Sequence, residues 1–110
     1  MEVNAFSPTG LTVSFTAATT APTSAQAVSS APTTRPARQY RVMNSGAQMV
    51  LLGVGASDAA AKTAAASIAA GAVPILPGAT EILGFPAGSY FSGVTSTSTS
   101  VMYITPGEGI

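Results

Sequence analysis

The chain has no cysteine and no histidine, and its charge is sparse: four Lys and Arg against four Asp and Glu in 110 residues, a net charge of zero. Without cysteine there are neither disulfides nor thiolate metal sites, and the redox compartment leaves no mark on the sequence. Without histidine or cysteine no Ser/His or Cys/His arrangement exists, and no usual transition-metal ligand set remains beyond carboxylates. A serine–lysine pair would depend on Lys62, and no S-x-x-K spacing leads to it. Paired carboxylates are the last catalytic option, drawn from Glu2, Asp58, Glu81 and Glu108. They are scattered along the chain. Glu81 reads as the outward neighbour of Ile82 on a strand, and Asp58 as a helix cap. The expectation is a protein with no enzymatic activity and no catalytic, cofactor or metal site.

Charged residues make up 7% of the chain, against about 25% in an ordinary soluble domain. Ser and Thr hydroxyls must then keep much of the surface wet, a weaker defence against self-association than mixed charge. Such a surface suits an assembly. Zero net charge also removes the long-range attraction on which nucleic-acid binders rely. The basic cluster of Arg35, Arg38 and Arg41 reads as a solvated or carboxylate-paired loop and strand edge, so no nucleic-acid partner is expected. The opening MEVNAFSPTG lacks the basic and apolar regions of a signal peptide. No run reaches the ~18 apolar residues that span a bilayer. A soluble, non-exported chain with no membrane partner is expected.

What is present is a set of short alternating segments. LTVSFT at 11–16 sets Leu11, Val13 and Phe15 on one face against Thr12, Ser14 and Thr16, a half-buried strand. QYRVMN at 39–44 and QMVLLGV at 48–54 read as a hairpin, with Asn44, Ser45 and Gly46 supplying the turn. TEILGF at 80–85 and SYFSGV at 89–94 read as a second hairpin around Pro86 and Gly88. STSVMYIT at 98–105 is a last strand, with Val101 and Tyr103 on one side and Met102 and Ile104 on the other, stopped by Pro106 and Gly107. Between Pro22 and Pro32, TSAQAVSS at 23–30 alternates weakly and reads as a short edge strand.

The expected fold is therefore all-β: one antiparallel β-sandwich or jelly-roll domain over residues 1–110, with about six to eight short strands. One segment dissents. SDAAAKTAAASIAAG at 57–71 has high helix propensity, Ser57 or Asp58 as N-cap and Gly71 as C-cap. Its apolar face is thin, with Ile68 its only large residue, so a short helix or an ordered loop near 58–70 is expected to cross between the sheets.

Two patterns invite chemistry. Gly53-x-Gly55 before that segment begins a dinucleotide-binding fingerprint, but Asp58 stands where the third glycine belongs, and the further βαβ units are missing. The glycines are read as allowing a bulge or bend at a strand end. Tyr40, Tyr90, Tyr103, Phe85 and Phe91 have the makings of a sugar-binding platform, but aromatics on strands are more often core.

FTAATTAPTSAQAVSS, QYRVMNSGAQMVLLGVG, PILPGATEILGF and AGSYFSGVTSTSTSVMYITPGEG together resemble a group of small structural proteins of tailed bacteriophages, the capsid decoration or cement proteins. The resemblance runs from about Phe6 to Ile110, and YITPGEG at 103–109 is its most specific piece. It departs from the family pattern in the alanine-rich 59–72 segment, and it carries over no functional residues. It implies a β-sandwich or jelly-roll module made in the host cytoplasm and bound in many copies outside the phage head. Its partners would be the major capsid protein and copies of itself. The terminal segments MEVNAFSPT and PGEGI would serve as arms reaching across subunits. The alternatives are another virion component (tail, neck or fibre base) or a receptor- or carbohydrate-binding module.

Overall fold

The computed structural model describes residues 7–8, 10–26, 39–86 and 88–108. In chain order the strands are β1 (Ser7–Pro8), β2 (Val13–Ala17), β3 (Ala25–Gln26), β4 (Gln39–Asn44) and β5 (Val50–Gly55). After helix α1 (Asp58–Ala64) and a 3-10 turn (Ile68–Ala70) come β6 (Val73–Ile75), β7 (Thr80–Gly84), β8 (Tyr90–Val94) and β9 (Ser100–Glu108). The antiparallel pairings are nested: β2 with β9, β3 with β8, β4 with β7, and β5 with β6. The chain is one long hairpin that doubles back at α1. It is wound so that β9 also meets β4 and β8 also meets β5. One sheet therefore runs β2-β9-β4-β7, with β1 continuing β2's flank of β9, and the other runs β3-β8-β5-β6. That is the strand order of a jelly roll.

The core lies between the sheets, because each strand turns its apolar parity inward. Phe15, Tyr40, Val42, Met102 and Ile104 from the first sheet meet Val50, Leu52, Ile75 and Phe91 from the second. Each large side chain here contributes roughly 1.5–3 kcal/mol by leaving water. Tyr40 and Phe91 pack edge to face at 5.0 Å, and Phe85 closes the group 5.8 Å from Phe91. The Tyr40 hydroxyl donates to Pro86 O at 3.2 Å, and burial pushes its phenol pKa up. The first strand begins later than its alternation suggests: Val13 opens β2, and Leu11 stands 78% exposed.

Neither expected hairpin forms. β4 and β5 lie in opposite sheets, as do β7 and β8, so residues 45–49 and 85–89 are arches across the core. The reason is burial: β4 and β5 press Tyr40, Val42, Val50 and Leu52 into the same core from opposite sides. Side by side in one sheet they would leave that face without a cover. Asn44 accordingly points inward and is fully buried. Its Nδ2 donates to Gln48 O at 2.7 Å and to Ile75 O at 3.1 Å. Its Oδ1 accepts from the Gly46 N–H at 3.1 Å and from the Ser100 hydroxyl at 2.6 Å. One amide thereby ties the arch to the end of β6 and the start of β9.

Pro106 and Gly107 do not stop the last strand, which continues through them to Glu108. Ser45 N–H donates to Val101 O, so by alternation the odd-numbered residues of β9 bond toward β4 and residue 106 points to the other flank. On that flank Ser7 faces Glu108 while Val13 faces Ile104. Six residue steps there match four on β9, and this register shift falls opposite Pro106. Its missing N–H therefore costs no ladder bond.

The 57–71 segment forms α1 and then, after a break, the 3-10 turn, where Ser67 caps the start and Gly71 ends it at φ 107°. It does not cross between sheets, since it joins β5 to β6 within one sheet. Nor does Ile68 anchor it, being 62% exposed; the buried residues are Ala61 and Ala65. Helix α1 lies on the outer side of its sheet against Gly53 and Gly55, where an added Cβ would strike the backbone of residues 60, 61 and 65. The glycine pair is thus a recess for a helix and not a strand bulge. Alanine, poor at burying area, succeeds here because bare strand backbone lets the helix come close.

Ser57 is the N-cap, its hydroxyl accepting from the Ala60 N–H at 3.2 Å. Asp58, next to it, ties the helix to the segment before β3: Oδ1 accepts from the Ser24 N–H at 2.7 Å, and Oδ2 meets Lys62 Nζ at 3.2 Å. The Ser24 N–H first, then Lys62, hold its carboxyl down to about 2 from the ordinary 3.8. A lowered acid pKa stabilises the fold above the unfolded value and loses that contribution as pH falls through the folded value. An NMR titration of Asp58 should accordingly centre near 2. In D58N the stability change between about pH 4 and pH 2 should shrink. A midpoint near 4 would remove the tether from this account.

Candidate functional site

The two sheets differ on their outer sides. The β3-β8-β5-β6 sheet is roofed by α1 and by the 22–24 segment, where Ser92 donates to Pro22 O at 3.0 Å. The outer side of the β2-β9-β4-β7 sheet carries no helix among the described residues. Its side chains follow from register. One row runs Thr105, Arg41, Ile82, and the next runs Ser14, Tyr103, Met43, Thr80. Between them lies a shallow depression of about 380 Å³ bordered by Thr12, Arg41, Met43, Thr80, Tyr103 and Thr105. Thr12 and Thr105 share a hydroxyl–hydroxyl bond of 2.7 Å at its β2 end. Toward β7 the face becomes apolar, with Ile82 52% exposed and Met43 and Tyr103 each 38%.

This distribution corrects the expectation for Glu81, which shares the inward side with Val42 and Leu83 at the exposed rim, while Ile82 is the residue that points out. Adjacent apolar residues were the signal for this face: Val42–Met43, Ile82–Leu83 and Met102–Tyr103 each place one apolar side chain on either side of their strand.

Other groupings do not come together. Asp58 opens helix α1, which joins two strands of the one sheet, and Glu81 stands on β7 of the other; Glu2 and the side chain of Glu108 lie outside what is described, as do Arg35, Arg38, residues 27–30 of the expected edge strand, and both tips of the chain. Among the described residues no group of three or more His, Cys, Asp or Glu could hold a metal ion. Of the five aromatics, Tyr40 and Phe91 pack inside with the partly buried Phe85 against them, the half-buried Tyr90 sits on β8 with parity opposite to Phe91, and Tyr103 lies on the outer face of the other sheet, so they form no shared platform. A second cleft, about 360 Å³, lies between Phe85, Pro86 and Ser89 on one side and Val54, Gly55 and Gly71 on the other. Its one lining hydroxyl, on Ser89, is already donated to Pro86 O at 2.6 Å. Among the described residues no helix is long and apolar enough to cross a membrane.

The fold and this face define a jelly-roll β-sandwich with one sheet roofed by a helix and the other, among the described residues, without such a cover. Compared with family models, curated proteins and solved structures, the chain finds no match.

Proposed function

We propose that this protein is a structural component of a phage virion, a decoration protein that binds the outside of the head and stabilises the assembled shell. The observation that carries the reading is the outer face of the β2-β9-β4-β7 sheet, where among the described residues Arg41 is the one charged side chain and Ile82, Met43 and Tyr103 lie exposed among threonines. Exposed apolar surface rimmed by polar groups is the mark of a protein contact. The near absence of charge removes any steering toward nucleic acid. A protein of this kind works by mass action: it binds the closed lattice and not loose subunits, and so shifts the balance toward the shell. It requires no chemistry and no cofactor. Jelly rolls serve in viral shells and in sugar-binding domains alike, so the fold adds only a prior and the reading rests on the face.

The test is copy number and position. An electron-microscopy map of the particle is expected to show this chain repeated over the outside of the head. Shells lacking the chain should break at lower temperature and recover when it is added back. A few copies confined to the tail or neck would replace this reading with a different post in the virion. Specific glycan binding by the isolated protein, with no affinity for shells, would replace it with a receptor-binding module.

A further inference from the structure

We propose that two copies of this chain join edge to edge through β7, antiparallel about a twofold axis at Ile82. This deepens the self-association in the virion reading, but it concerns the isolated protein, so its failure would leave shell binding untouched.

A sheet edge is a row of unpaired backbone groups, and proteins that stay apart blunt it with proline, charge, bulges or brevity. Among the described residues two of the edges are plainly blunted: β6 is three residues long with Pro74 in its middle, and the β1–β2 flank carries Pro8 and the register shift. β7 runs five residues, Thr80–Gly84, without proline or interruption, and its one charged side chain, Glu81, lies at the rim on the inward side, off the face that Ile82 shares. Four of its five residues are exposed.

Its free groups follow from its bonded ones. Asn44 N–H donates to Ala79 O, so residues 81 and 83 bond toward β4, and Thr80, Ile82 and Gly84 point their N–H and C=O away from the sheet. That set is its own complement. With Ile82 facing Ile82 of a second copy, each donates to the other, and Thr80 faces Gly84 on both sides of the axis. Glu81 then faces Leu83, so no like charges oppose one another. The same pairing sets the two Ile82 side chains together on the open face, joining two apolar stripes into one. An isologous contact of this kind closes at two and does not propagate.

The experiment uses sedimentation velocity and amide hydrogen exchange on the full chain. The wild type is expected to be a dimer that dissociates on dilution, with the amides of Thr80, Ile82 and Gly84 slowed in the dimer. Two variants separate pairing from folding. Ile82→Pro removes an N–H that no internal bond uses, and Ile82→Lys sets two ammonium groups across the axis. Both should keep the far-UV spectrum and associate at least about 30-fold more weakly, as expected for a central interface residue. A wild type that stays monomeric at high micromolar concentration would overturn the proposal. So would a dimer that survives both substitutions, or one whose Thr80, Ile82 and Gly84 amides exchange as fast as in the monomer.

Discussion

Asn44→Ala should lower stability by about 3 kcal/mol, because it strands two carbonyls, an N–H and a hydroxyl that one buried amide now satisfies. In a domain of this size that corresponds to a fall of about 15 °C in melting temperature. Asn44→Asp is the sharper experiment. It keeps the shape and the Oδ1 acceptor, but turns the donor that serves Gln48 O and Ile75 O into a second acceptor facing two carbonyl oxygens. At neutral pH it should cost at least as much as alanine, since an unpaired charge would then be buried. Urea midpoints with unchanged slopes are the measurement. If both variants lost less than about 1 kcal/mol, the amide would be an ordinary turn residue and the arch would be held by something else.

The second large effect is expected at Gly53. A valine there places its Cβ against the carbonyl of Ala61 and the backbone of Ala65, atoms that no rotamer change can move. Helix α1 would have to lift off the sheet, uncovering Ala61 and Ala65, at a cost of about 2–3 kcal/mol. Near loss of the helical signal should accompany the drop in thermal stability. Trimming Ala65 to glycine should not restore it, because the obstruction is main chain. Rescue by A65G would mean that the fit is made by side chains and that the recess has been misjudged.

These two residues also show where the sequence was legible. Strand positions and, outside β7, parities could be read, since alternation such as Tyr40, Val42 against Arg41, Met43 is local; in β7 the adjacent Ile82 and Leu83 leave the inward side ambiguous, and Glu81 lies on the side opposite to the one expected. Pairing could not. Asn44-Ser45-Gly46 and Pro86 with Gly88 carry turn chemistry that serves a tight hairpin and an arch between sheets equally well, and the choice is made by partners far along the chain, Met102 for Asn44 and Gly107 for Gln39. Pro106 read as a stop because proline denies a bond, and only the register opposite it tells that no bond was due there. The alanine-rich helix was visible as propensity; its seat was not, because Gly53 and Gly55 look the same in sequence whether they bend a strand or admit a helix. The open face was legible in part, through Ile82–Leu83 and Met102–Tyr103, but assigning it needed the finding that α1 covers the other sheet.

The position of β9 has a further consequence, for synthesis. It is the last strand in the chain, yet it sits between β2 and β4 and holds both of them. While the chain is being made, β2 therefore waits with its lateral partner unbuilt, and the sheet that carries the open face has no middle. The β5–β8 pair and α1 are complete earlier and can assemble first. Closing β2 onto β9 joins residues more than four-fifths of the chain apart, as Val13 with Ile104, the kind of distant contact that makes folding slow. Until that closure the nascent chain exposes Phe15 and Val42, so a ribosome stalled before Ser100 would hold an adhesive half-sandwich.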